Sequence, residues 1–243
     1  MRKFFTIALC TAMMAALGVI GIAGNAVAGG TISGTISFEG TAPTRRALKM
    51  SADPVCEKEN PKGALGEVMV VNNGKLANVF VYIKDGLGDR TFDPPKTPVE
   101  IDQSGCTYKP HVIGIQAGQV LQIVNNDSTL HNVHSLAKNS RQFNAAMPIK
   151  GMKIKKKFQK PEIAVRMKCD VHPWMSAYIG VTNNPFFAVS GQDGTFSVAD
   201  VPAGTYTVEA WHERLGAKTG TVTVTDGGTA TVDFSFAPKK KGS

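Results

Sequence analysis

Apolar and polar residues alternate along most of this chain. In "TISGTISF" Ile32, Ile36 and Phe38 fall on one face, and Thr31, Ser33, Thr35 and Ser37 on the other. "GTYTVEAW" sets Tyr206, Val208 and Ala210 against Thr205, Thr207 and Glu209. In "TGTVTVTD" Val222 and Val224 alternate with threonines, and "TATVDFSF" sets Ala230, Val232, Phe234 and Phe236 against Thr229, Thr231, Asp233 and Ser235. A period of two marks strands with one buried face, because successive side chains of a strand point to opposite sides. Asn73-Gly74, Asp193-Gly194, Pro202-Ala203-Gly204 and Asp226-Gly227-Gly228 punctuate the runs with turn chemistry. Helical periodicity is scarce after residue 28. The pattern predicts an all-β protein of many short strands, and the length suits two small β-sandwiches better than one.

One stretch breaks the alternation. Met1, Arg2 and Lys3 precede an apolar run from Phe4 to Ala23, followed by Ala26-Val27-Ala28. A basic start, an apolar middle and an A-x-A ending read as a signal peptide over 1–28, cleaved after Ala28. The alternative is an uncleaved anchor, but Gly18, Gly21, Gly24 and Asn25 interrupt the run. No other stretch is apolar and long enough to cross a bilayer. The expectation is an exported protein, periplasmic or secreted, without a transmembrane anchor after cleavage. Cys10 leaves with the signal, and Cys56, Cys106 and Cys169 remain in an oxidising compartment. Cys169 has metal-type neighbours, so the candidate disulfide joins Cys56 to Cys106, although spacing alone does not fix connectivity.

Loss of Arg2 and Lys3 takes the formal charge from +8 to +6. Much of the remainder sits in "KGMKIKKKFQK" at 150–160 and in a basic tail at 238–243. An exported protein rarely meets nucleic acid, so that partner is set aside. A lysine-guarded strand edge is the plainer reading of the 150–160 run. A docking surface for an acidic protein or an anionic envelope surface is the sharper one.

The chemistry gathers in "MKCDVHPWM" at 167–175 and "LHNVHSL" at 130–136. In "EIAVRMKCD" Ile163, Val165, Met167 and Cys169 share one parity. Cys169 therefore points into a core at a strand's end, with His172 and Met175 on the loop that follows. "QVLQIVNND" is a second strand, and its loop at Asn125-Asn126-Asp127 delivers His131. Two imidazoles, a thiolate and a thioether are a poor zinc set. No C-x-x-C occurs, which disfavours a zinc ribbon, a thioredoxin pair and a c-type haem attachment. The cysteines are too few for an iron–sulfur cluster, and a binuclear copper centre would need a second bridging cysteine. Two histidines and one cysteine with a long axial methionine form the blue-copper arrangement.

"CDVHPWM" resembles the copper loop of the cupredoxins, most closely the short amicyanin kind with its C-x-x-H-P-x-M pattern. "LHNVH", "IQAGQVLQIVNND" and "AAMPIKGMKIKKKF" are similar to the upstream and intervening segments of that family. The resemblance covers about 96–183. It implies a Greek-key sandwich holding one type 1 copper ion through His131, Cys169, His172 and Met175. Asn132 would join the two ligand loops by hydrogen bonds. Pro173 would stiffen the loop, and Trp174 would be either a core residue or an apolar rim for a redox partner. The same match makes His131, not His134, the ligand. His111 and His212 are read as structural or exposed. Met147 and Met152 are read as packing residues.

"GQDGTFSVADVPAGTYTVEAWHE" resembles a different family, the carboxypeptidase regulatory-like domain, a transthyretin-like sandwich. The strands that usually open that unit look like "GTISGTISFEG" and "LANVFVYIKDG", far upstream. The reading is a discontinuous domain of 29–95 and 184–237 interrupted by the copper domain; two consecutive domains are the alternative. No H-E-x-x-H, nucleophile motif or H-x-H pair occurs, so no enzyme is expected. Three readings stand: an electron carrier served by a redox protein such as a cytochrome, a copper storage or delivery protein, and a structural envelope sandwich.

Overall fold

The computed structural model describes residues 29–238. The expected signal peptide and residues 239–243 of the basic tail lie outside the described residues. Among the described residues no helix is long and apolar enough to cross a membrane.

The first part of the chain supplies β1 (Gly30–Phe38), α1 (Pro54–Glu59), β2 (Val71–Asn72), β3 (Lys75–Leu76) and β4 (Phe80–Asp85). The middle supplies β5 (Val99–Gln103), β6 (Tyr108–Lys109), β7 (Val112–Gln116), β8 (Leu121–Asn125), β9 (His131–Ser135), β10 (Asn144–Met147), β11 (Lys153–Lys156), β12 (Glu162–Lys168) and β13 (Ser176–Thr182). The last part supplies β14 (Phe187–Val189), β15 (Thr195–Val201), β16 (Gly204–His212), β17 (Gly216–Val224), β18 (Thr229–Thr231) and β19 (Phe234–Phe236).

The described residues form four sheets, and the fold is all-β. Among these residues the middle strands pair with one another, as β10-β9-β12-β13-β7 and β11-β8-β5-β6. The flanking parts of the chain pair with each other across that segment. One of their sheets is β15-β1-β3-β2 with β18 and β19 added along β1; the other is β14-β4-β16-β17. Each pair of sheets encloses its own core. The inner sandwich buries Ile101, Ile123, Val133, Val165, Met167 and Ile179, and the outer one Ile32, Ile36, Val81, Tyr206, Val208 and Phe236.

Local sequence explains the connections. Asn73 (φ 49°) and Gly74 (φ 73°) take up the left-handed pair that a two-residue hairpin turn requires between β2 and β3. The lysine-rich β11 lies at a sheet edge, paired on one side to β8, where lysines discourage further pairing.

Three departures from simple alternation have identifiable causes. "TATVDFSF" forms two strands instead of one, because the Asp233 carboxylate takes the Thr35 N–H of β1 (2.7 Å) in place of a backbone acceptor. In β12 a bulge at Ala164 (φ 69°) shifts the register between Glu162 and Val165. Ile163 therefore packs at the junction with Phe80, Tyr82 and Val112, and does not share the core face of Val165 and Met167. Glu209, expected on the open face of its strand, is buried, with its carboxylate accepting from Tyr82 Oη (2.7 Å) and Lys84 Nζ (2.5 Å).

The helix α1 is too short to show a helical period in sequence. Its start is nevertheless written in "DPVC": Pro54 opens it, and the Asp53 Oδ1 caps it by accepting from the Val55 (2.8 Å) and Cys56 (3.3 Å) amides. Cys56 is the buried residue of the helix and is bonded to Cys106.

Candidate metal centre

Strand β12 ends at Lys168, and Cys169 continues it into the core of the inner sandwich, where it is 2% exposed. The chain then turns back on itself. The Met175 N–H donates to the His172 carbonyl (2.9 Å), and the Cys169 N–H donates to the Met175 carbonyl (3.3 Å). This closed turn buries Cys169, His172 and Met175 together at one end of the sandwich. Strand β9 starts at the same end with His131, which is fully buried.

The two histidines meet through their Nδ1 atoms, 2.9 Å apart. Cys169 Sγ is 3.8 Å from His172 Nδ1. One donor atom each from His131, Cys169 and His172 lies within 4.8 Å of the other two. Met175 belongs to the same buried cluster as Cys169. Two of the three nitrogen and sulfur donors therefore belong to the 169–175 turn, and the third comes from a neighbouring strand 38 residues earlier in the chain than Cys169.

Asn132 ties these elements together. Its backbone N–H points at Cys169 Sγ (3.5 Å), its Oδ1 accepts the Asp170 N–H (2.6 Å), and its Nδ2 donates to Asn144 Oδ1 (2.6 Å) and Asp170 Oδ2 (3.0 Å). Trp174 stacks obliquely on His172, ring centres 5.0 Å apart, and donates its indole N–H to the Cys106 carbonyl (3.0 Å). It is half-buried, so it is both a packing residue and part of the site's wall. Pro173 is exposed on the turn. His134 faces outward from β9 and pairs with Asp170 (3.0 Å), away from the other donors. His111 and His212 are buried and belong to other contacts, His111 with Glu213 (2.5 Å) and His212 with the Arg214 amide (3.1 Å). Met147 is fully buried, with its sulfur accepting from Gln103 Nε2 (3.2 Å).

Sequence reasoning missed the acids. His131 Nε2 is 2.8 Å from Asp127 Oδ2, and His172 Nε2 is 3.0 Å from Asp53 Oδ2. Asp127 is close to His131 in sequence, so an acid in the loop after β8 was a usable hint. Asp53 is 119 residues from His172, and nothing local announces their contact.

The electrostatics follow from these partners. Burial pushes the His131 pKa down, but the Asp127 carboxylate and the Cys169 sulfur outweigh it and raise it to about 9. Burial lowers the His172 pKa, and Asp53 only partly opposes this. Burial would raise the Cys169 thiol, yet His131 and the Asn132, His172 and Val171 amides bring it below the ordinary thiol value. Burial likewise opposes ionisation of Asp53, but the Thr129 hydroxyl, His172 and the two helix amides lower it to about 2. Both Nε2 atoms face carboxylates, so the Nδ1 atoms of the two rings are the ones left for an ion. A thiolate, two Nδ1 atoms and a buried thioether residue fit a soft or borderline transition metal, and suit the hard, oxygen-seeking cations poorly.

No curated protein matches the sequence. A Cu-containing nitrite reductase (NirK) from Thermus scotoductus SA-01 is similar in structure, at 22% identity over 40% of this chain and 25% of that one, with a TM-score of 0.34. A purple cupredoxin from Nitrosopumilus maritimus aligns at 22% identity over 35% of this chain and 99% of its own, with a TM-score of 0.30. A methionine-to-alanine mutant of amicyanin in its Cu(I) form aligns at 16% identity over 40% of this chain and 97% of its own, with a TM-score of 0.32. The family match starts at His172, inside the 169–175 turn, and spans β13 to β19, whereas β1, β3 and β4, which share sheets with those strands, lie outside it. Residues 172–237 of this all-β chain match the family model of the carboxypeptidase regulatory-like domain.

Proposed function

We propose that the chain is an exported type 1 copper protein, periplasmic or secreted, that carries single electrons and is not itself an enzyme. One ion would be held by His131, Cys169, His172 and Met175. A copper ion at such a site supplies one-electron chemistry, since thiolate, imidazole and thioether together serve both Cu(I) and Cu(II).

The observation that carries this reading is the convergence of one donor atom each from His131, His172 and Cys169 within 4.8 Å of one another, all three residues buried in the inner sandwich. The chain's own residues do the rest. Asn132 locks the strand of one ligand to the turn of the others. Asp127 and Asp53 occupy the Nε2 atoms and leave the Nδ1 atoms for the ion. A held geometry means little atomic motion when the charge of the centre changes. The regulatory-like sandwich serves as scaffold.

The partner would be another redox protein, such as a cytochrome. Leu130 and Val171, each next to a candidate ligand, are exposed large apolar residues, as is Ile149 beside Lys150. These residues suit brief contact with such a protein. A storage or delivery protein would use the same donors, but the near-complete burial of Cys169, His172 and His131 favours retention over hand-off.

Two measurements on the copper-loaded protein separate these readings: electron exchange with a reduced c-type cytochrome, and copper release to a competing chelator. Electron exchange faster than copper release is expected. Ready release without electron exchange would favour delivery instead.

A further inference from the structure

The Cys56–Cys106 bridge lies against the Nε2 side of the two histidines. Cys56 Sγ is 3.8 Å from His172 Nε2, and Cys106, Asp127 and His131 bring one atom each within 4.8 Å of one another. The surroundings of the two half-cystines are paired. The Cys56 amide donates to Asp53 (3.3 Å), whose other oxygen accepts from His172 Nε2 (3.0 Å). The Cys106 amide donates to Asp127 Oδ2 (2.8 Å), the oxygen that also accepts from His131 Nε2 (2.8 Å). Further donors stop either carboxylate from turning: Thr129 Oγ1 (2.7 Å) and the Val55 amide (2.8 Å) on Asp53, and the Gly105 amide (2.7 Å) on Asp127. Each half of the disulfide thus presents, through its own backbone, an acid to one of the two imidazoles.

Resting on the copper reading above, we propose that Asp53 and Asp127 are positioning residues that bias the centre toward the oxidised ion. The Cys56–Cys106 bridge is the strut that keeps both acids in place. An Nε2–H held by a carboxylate fixes the ring's tautomer and rotation and strengthens the opposite nitrogen as a donor. Two negative charges one imidazole away, Asp127 buried and Asp53 partly buried, also favour the ion of higher charge, and the poorly hydrated surroundings sustain that preference. Asp53 belongs to the α1 segment, outside the 96–183 stretch that carries the four candidate ligands. The part of the chain that precedes the ligand segment therefore tunes the centre.

The test uses the full mature protein loaded with Cu(II). Asp53→Asn keeps side-chain volume and a competent helix cap, since asparagine and aspartate cap about equally well. Asp127→Asn and the pair C56S/C106S complete the set. The variants should keep one copper and its thiolate-to-copper band. Their midpoint potential should rise, with Asp53→Asn changing the Cu(I)-to-Cu(II) binding ratio about tenfold, or ~59 mV for one electron. The copper hyperfine pattern in EPR should change with it. A lowered melting temperature with unchanged potential and EPR spectrum would assign the acids a purely structural role and overturn the proposal. Should Asp127→Asn fail to fold, Asp53→Asn alone decides. A wild-type protein without any thiolate-to-copper band would refute the copper reading instead, so the two failures are distinct.

Discussion

His131 and His172 face each other through their Nδ1 atoms at 2.9 Å, although 41 residues separate them. One of these atoms must donate and the other accept. Asp127 raises the His131 pKa and burial lowers that of His172, so His131 is the stronger base of the pair. The space beside the two Nδ1 atoms is where both rings would present lone pairs to an ion. His134, on the same strand, points to Asp170 and takes no part.

This geometry decides between the two histidines of "HNVH". His131→Ala should lower copper affinity by at least about tenfold, because a ligand and its Asp127 support are lost together. His134→Ala should leave affinity and spectrum nearly intact. Isothermal titration with copper in competition with a chelator reads both variants. Equal losses would mean that both imidazoles serve the ion.

The junction between the sandwiches rests on two small residues. Gly180 and Gly114 are direct partners on the parallel strands β13 and β7. A Cβ on Gly180 would fall 2.3 Å from the Phe80 ring, and one on Gly114 would fall 2.3 Å from Phe187. The two glycines thus form a flat seat for two rings of the outer sandwich. Gly180→Ala should cost about 1–3 kcal/mol by overpacking, and Phe80→Ala about 3–5 kcal/mol. Thermal or urea unfolding measures both. An unchanged stability in Gly180→Ala would contradict the seating of Phe80.

Acid should weaken the fold at His212. This ring is 1% exposed and accepts the Arg214 amide at Nδ1. Burial, aided by His111 and Arg214 and opposed by Glu213, pushes its pKa down from 6.5 to about 4. The unfolded chain takes up a proton as pH falls below 6.5, and the folded chain refuses it until about 4. Stability present above pH 6.5 is therefore lost as pH falls toward 4, by about 3 kcal/mol in all. His212→Gln should show a smaller drop in melting temperature between about pH 7 and about pH 4.5 than the wild type, read by circular dichroism. An identical drop would contradict the assignment.

Alternation made much of the fold legible. Ile32, Ile36, Tyr206, Val208, Val222 and Phe236 are buried where a period of two places them. The exceptions are local events that the period does not encode: a bulge at Ala164, a side chain replacing a carbonyl at Asp233, and an acid at Glu209 buried by its partners. The cluster of Cys169, His172 and Met175 was legible because all three lie in one short turn. Asp53 was not, because its role depends on α1 folding back against a loop 119 residues away. No sequence period carries a contact of that range.

The most direct measurement is the visible and EPR spectrum of the mature protein loaded with Cu(II), beside that of Cys169→Ser. An intense thiolate-to-copper absorption, bleached reversibly by a reductant and absent from the serine variant, is the predicted result. Weak absorption in the wild type, unaltered by Cys169→Ser, would show that the sulfur does not hold the ion and would contradict the blue-copper assignment.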